Sequence, residues 1–273
     1  MTSPLSFDLA RRTPSRAGDL IAGITGYRES ARGRFQQCEA APLVVPLIIS
    51  LGSPFLIALG REPEATDRQP SFAAGLYAGP VHIESDGAAE CVQVDFTPLG
   101  AYRFFGGAVV DLAAHMIDIG DLLGRDGRQL REWLGATPCW QHRFDLIEEF
   151  VLRRATHQPS REIASAYRTL ARTGGNAPIG AVARDIGWSR KHFAHRFQTE
   201  LGLGPKSVAR MMRFHRARRL ALQGNAEGWA MIAAESGYAD QAHLAREFVA
   251  MAGESPTTWA RRMAHIDPRL IVR

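Results

Sequence analysis

Two stretches of this sequence gather polar side chains at helical spacing. Residues 185–197 read DIGWSRKHFAHRF and residues 235–248 read ESGYADQAHLAREF. In the first, Phe193 and Phe197 stand four apart, so on a helix they share one face. Lys191, His195 and Gln198 then occupy the opposite face. In the second, Leu244 and Phe248 fix the buried side, leaving Ala242 and Arg246 outward, flanked by Gln241 and His243. Ammonium, guanidinium, imidazole and amide groups on one helix face can donate to base edges in a DNA major groove. The plain alternative is a solvated helix surface.

Other chemistry finds little support. Only His82, His115 and His142 occur in the first 150 residues, without the close spacing a metal site needs. His82 and Glu84 would share one strand face, a weak signal, so no metal and no cofactor are expected. Neither a Gly-Lys-Ser/Thr phosphate loop nor a Gly-x-Ser-x-Gly nucleophile turn is present, so the chain is not expected to be an enzyme. Cys38, Cys91 and Cys139 lie far apart, in no disulfide or metal pattern. Buried inert thiols are the expectation for Cys38 and Cys91, with a redox sensor as the alternative.

The two stretches belong to a repeat. Val182–Ala183 and Gly187–Trp188 align with Ile232–Ala233 and Gly237–Tyr238 at an offset of 50. Phe193, Phe197, Gly202 and Pro205 align with Leu244, Phe248, Gly253 and Pro256 at an offset of 51, so the second copy holds one extra turn residue. Each copy reads as helix-turn-helix: a short helix, a Gly suited to the left-handed conformation that ends it, and a second helix. Residues 205–223 read as one long helix with Val208, Met211, Met212, His215 and Leu220 inward. Its other positions hold Arg210, Arg213, Arg216, Arg218 and Arg219, some of which should face phosphate or acidic partners.

Charge is split between the halves. Residues 1–150 hold 13 Lys+Arg and 19 Asp+Glu, a net of −6, whereas residues 151–273 hold 20 and 9, a net of +11. A basic half suits a polyanion. Residues 20–97 read as short strands in DLIAGITGY, APLVVPLIISLG, PFLIALG, SFAAGLY, PVHIES and ECVQVDFTP, with Pro46 arguing for an edge or bulge. Helices follow: LGAYRFFGG, DLLGRDGRQLREWLG, QHRFDLIEEFVLRRATHQ, and SREIASAYRTLARTGG with Ser160 as cap. No apolar run reaches the length of a membrane span, no secretory signal is evident, and a cytoplasmic location is expected.

The motif Ser189, Phe193, Phe197, Gly202, Pro205, Arg213, Ala217, Arg218, then Ile232, Ala233, Gly237, Tyr238, Asp240, Leu244, Arg246, Phe248, Gly253, Pro256 and Trp259 resembles the AraC/XylS family of bacterial transcription regulators. VDFTPLGAYRFFGG (residues 94–107) resembles a segment of the cupin-like sensor domains attached to such regulators. The resemblance implies an α+β chain: a mostly-β cupin-like barrel sensor domain over residues 1–140, connecting helices over 141–175 with a possible dimerisation role, and a DNA-binding domain over 176–265. That last domain would carry two helix-turn-helix units joined by a long helix. The DNA-facing set it implies is Arg190, Lys191, His192, Ala194, His195 and Gln198, then Asp240, Gln241, Ala242, His243 and Arg246. Implied partners are double-stranded promoter or operator DNA, RNA polymerase, a small-molecule effector and a second copy of the chain, with no membrane. The sign of regulation, activator or repressor, stays open.

Overall fold

A computed structural model describes residues 7–30, 33–223 and 228–265. The strands are β1 (Phe7–Arg12), β2 (Ile21–Glu29), β3 (Phe35–Glu39), β4 (Val45–Ser50), β5 (Phe55–Leu59), β6 (Arg68–Gln69), β7 (Ser71–Ala74), β8 (Val81–Ser85), β9 (Glu90–Phe96) and β10 (Met116–Asp118). They form two antiparallel sheets, in the orders β1-β2-β9-β4-β7-β10 and β3-β8-β5-β6. Alternation along the strands assigns each face of the larger sheet to a different core. Ile48, Phe72 and Cys91 face the smaller sheet's Phe55 and Ile57. Leu47, Ile49, Val92, Val94 and Phe96 point the other way, into the helices.

Pro46 lies within β4, which has a neighbour on each side. Its pairing with β7, however, runs only over Leu47–Ile49. At Pro46 only β9 is alongside, so the missing N–H costs no bond to β7. The edge expected from the sequence is thus local to the start of β4, Val45 and Pro46.

Helices α1 (Pro98–Phe105), α2 (Val109–Leu112), α3 (Ile119–Leu123), α4 (Arg125–Ala136), α5 (Trp140–Arg154) and α6 (Arg161–Arg172) follow. The sequence reads residues 121–135 as one helical run, but Gly124, at φ +59°, divides it into α3 and α4. Ser160 caps α6 as expected, accepting from Ile163 N–H at 3.4 Å. The remaining helices are α7 (Ile179–Asp185), α8 (Arg190–Leu201), α9 (Pro205–Leu222), α10 (Trp229–Glu235), α11 (Gln241–Ala252) and α12 (Pro256–His265).

One apolar core runs through both parts of the chain. It includes Ala17 and Phe96 beside the sheet, Phe104, Phe144 and Ile147 in the middle helices, and Phe193, Phe214, Phe248 and Trp259 in the last ones. Helix α8 packs on α1 and α2. Gly202, at φ +81°, sits where a side chain would strike the Val109 carbonyl.

Candidate nucleic-acid interface

The repeat in the sequence is a repeat of hydrogen bonds. In the first unit Gly187 N–H donates to Arg184 O at 2.9 Å, and Trp188 N–H to Ala183 O at 2.9 Å. In the second, Gly237 N–H donates to Ala234 O at 3.1 Å, and Tyr238 N–H to Ala233 O at 2.9 Å. Gly187 has φ +75° and Gly237 φ +79°, the region a side chain disfavours. In both units the turn aromatic then meets a histidine of the second helix edge-on: Trp188 on His192 at 4.6 Å, Tyr238 on His243 at 5.2 Å. The extra residue of the second copy falls between Tyr238 and its cap, so the helices keep their register.

Each second helix begins with a side-chain cap. Ser189 Oγ accepts from His192 N–H at 3.2 Å, and Asp240 Oδ1 from His243 N–H at 2.6 Å. These bonds satisfy backbone donors that a helix start otherwise leaves free. Asp240, taken from the sequence as a DNA-facing residue, is therefore the cap of α11. Phe193 and Phe197 are fully buried in edge contact at 5.4 Å, and Leu244 and Phe248 are fully buried too.

With those four inside, the other residues of the two helices differ in exposure. Arg190, Lys191, His192, His195 and Gln198 are exposed on α8, and Ala194 is partly buried. Gln241, Ala242 and Arg246 are exposed on α11, with His243 half-buried against Tyr238. Arg190 folds back over Gly180, where a β-carbon would meet its guanidinium. Each set occupies one helix.

The arginines of the long helix α9 divide between partners inside the domain and solvent. Arg210 makes a two-pronged pair with Glu247 of α11, at 3.0 and 2.9 Å. That carboxylate holds the Arg210 guanidinium above its ordinary range. Arg213 donates to Gly175 O at 2.8 Å and lies over the Tyr238 ring. Arg218 lies over Phe214 and Trp259. These three are engaged inside the domain; Arg216 lies beside Gly174, and Arg219 is exposed. Inward, Val208, Met211 and Met212 are buried as expected, joined by Phe214 and Ala217, which the periodicity missed.

Sequence reading also missed how the units sit on the β-rich part. The Ala41 N–H donates to Met251 O at 2.8 Å. Gly253, at φ +75°, rests against Pro80. No periodic signal announces such contacts, because each partner is an isolated residue far away in sequence.

Residues 182–262 match a family model described as "Helix-turn-helix domain". Together with the duplicated geometry, this defines a DNA-binding domain. The match covers both duplicated units and the long helix between them. Among solved structures the chain is similar to ToxT from Vibrio cholerae O395, at 8% identity, 96% of this chain and 99% of that chain, with a TM-score of 0.48. It is also similar to the AraC-like transcriptional activator CuxR, at 16% identity, 85% of this chain and 86% of that chain, with a TM-score of 0.34. No curated protein matches the sequence. Among the described residues no helix is long and apolar enough to cross a membrane.

Proposed function

We propose that the chain regulates transcription by reading DNA with α8 and α11. Lys191, His195 and Gln198 read one segment, and Gln241, Ala242 and Arg246 the other. Arg190, His192, Ala194 and His243 flank them, and Asp240 contributes by holding the start of α11. The observation that carries this reading is the two turns with matching hydrogen bonds, each opening a helix whose polar face stays in solvent. If the two helices enter adjacent major grooves, their target segments lie about one DNA turn apart, roughly 10 base pairs.

Residues 1–140 act as the regulatory part, 141–175 as the connector and 176–265 as the reader. The regulator works in the cytoplasm as a homodimer, engages RNA polymerase, and answers to a small molecule through its first part. The packing of α8 on α1 and α2 supports such coupling, because a shift in those helices reaches the reader directly.

Footprinting of genomic fragments tests the reading, with protected fragments then titrated against Arg246→Ala. A base contact predicts a loss of about 1–3 kcal/mol on the protected site and little on random duplex. Equal losses on both would make Arg246 a phosphate contact. Failure to prefer any fragment over random duplex would overturn the proposal.

A further inference from the structure

A cleft of about 640 Å³ lies between the smaller sheet and the ends of α11 and α12, lined by Cys38, Tyr77, His82, Ala252, Glu254 and Arg262 among others. Three side chains stand in a row, two of them, Cys38 and His82, in the cleft lining. Cys38 of β3 and His82 of β8 are directly paired across the ladder. The Cys38 Sγ lies 3.9 Å from His82 Nε2. On the far side of the ring, His82 Nδ1 lies 3.0 Å from Glu62 Oε1, on the exposed loop after β5. A carboxylate can only accept, so in the neutral ring Nδ1 carries the proton and Nε2 is free to take one from the thiol. The three do not converge as metal ligands would; they form a chain of nucleophile, base and orienting acid.

The same sulfur is tied to the reader: Cys38 Sγ donates to Ala252 O, the end of α11, at 3.7 Å. Burial pushes the Cys38 thiol up, with Glu254, Glu62 and Glu39 adding to the rise and Arg262 opposing it. At rest the sulfur therefore keeps its proton, and attack needs a base at hand.

We infer that Cys38, with His82 as its base and Glu62 holding the ring, is a covalent acceptor site for soft electrophiles of the activated-alkene class, such as α,β-unsaturated carbonyl compounds. The sulfur bonds to the β-carbon and the alkene pair moves to the α-carbon. The thiol proton passes to His82 Nε2 and from there to the α-carbon. Nothing leaves, and no further reactant is consumed. The adduct removes the Cys38–Ala252 bond and places bulk against Gly253, loosening α11 from the sheet.

The probe is N-ethylmaleimide on the full chain, with labelling rates at each cysteine followed by peptide mass spectrometry. The exposed Cys139 is an internal control. His82→Gln should slow Cys38 by at least about tenfold, leaving Cys139 unchanged. Glu62→Gln, a change at an exposed side chain that threatens no folding, should slow Cys38 to a smaller degree and decides the matter if the histidine variant does not fold. A Cys38 rate unmoved in both variants, or labelling of Cys38 only after denaturation, overturns the site. The link to DNA reading rests on the function proposed above. Labelled protein with unaltered DNA affinity would overturn that link alone, since the labelling rates need no DNA.

Discussion

At the scale of the residue, His215 on α9 is the clearest titrating group. Burial, followed by the nearby Arg218 and Arg219 charges, lowers its pKa from 6.5 to about 4. The unfolded chain takes up this proton near pH 6.5, while the folded chain refuses it until about pH 4. Stability from this residue is thus full above about pH 6.5 and lost as the pH falls towards 4, with a span on the order of 3 kcal/mol. Denaturant titrations of the native chain and of His215→Gln should diverge in that window and run parallel above it; parallel curves throughout would show the imidazole to be solvated. The sequence placed His215 on the inward side of the long helix. It could not show that Arg210 is neutralised by Glu247, because that partner lies in another helix, 37 residues on.

At the scale of the element, α6 is fastened to α8 by one carboxylate. Glu200 is 1% exposed and accepts from Ser160 N–H at 2.7 Å, Ser160 Oγ at 2.9 Å and Arg196 at 2.8 Å. Ser160 thereby joins the start of α6 to α8. Glu200→Ala leaves these donors without their acceptor and should cost about 3 kcal/mol of unfolding free energy; Glu200→Gln should cost less. Urea midpoints compare the two, and equal, small losses would mean that water replaces the carboxylate. Much at this scale was legible: β4, β5, β7, β8 and β9 lie within the apolar runs, β2 overlaps the first of them, and the α7–α8 and α10–α11 pairs follow the repeat. The missed strands β1, β3, β6 and β10 each end a sheet, and β6 and β10 are only two and three residues long. With a neighbour on one side only, β1 and β3, FDLARR and FQQCE, carry too few buried residues to alternate. The duplicated units were legible because glycine, aromatic and apolar pairs recur at fixed offsets.

At the scale of the whole molecule, the β-rich part and its following helices lie against the far ends of α8 and α11, near Gly202 and Gly253, while the near ends stay open. The basic residues of the second half include Arg219, Lys191 and Arg246 in solvent. Specific DNA affinity should therefore fall by at least about a hundredfold between roughly 50 and 200 mM salt. A flat salt profile in fluorescence anisotropy would remove the basic face from the account. The placement of one half on the other was not legible, because single contacts such as Ala41 with Met251 join positions without any shared pattern.

The apolar core that passes from Ala17 to Trp259 leaves no seam along which heat could part the chain. Calorimetry should accordingly record one endotherm, with matching van't Hoff and calorimetric enthalpies, instead of separate melting of regulatory and reading parts. A fragment beginning at Ser160 would bare the flank of α8 that α1 and α2 cover, and should melt well below the parent chain.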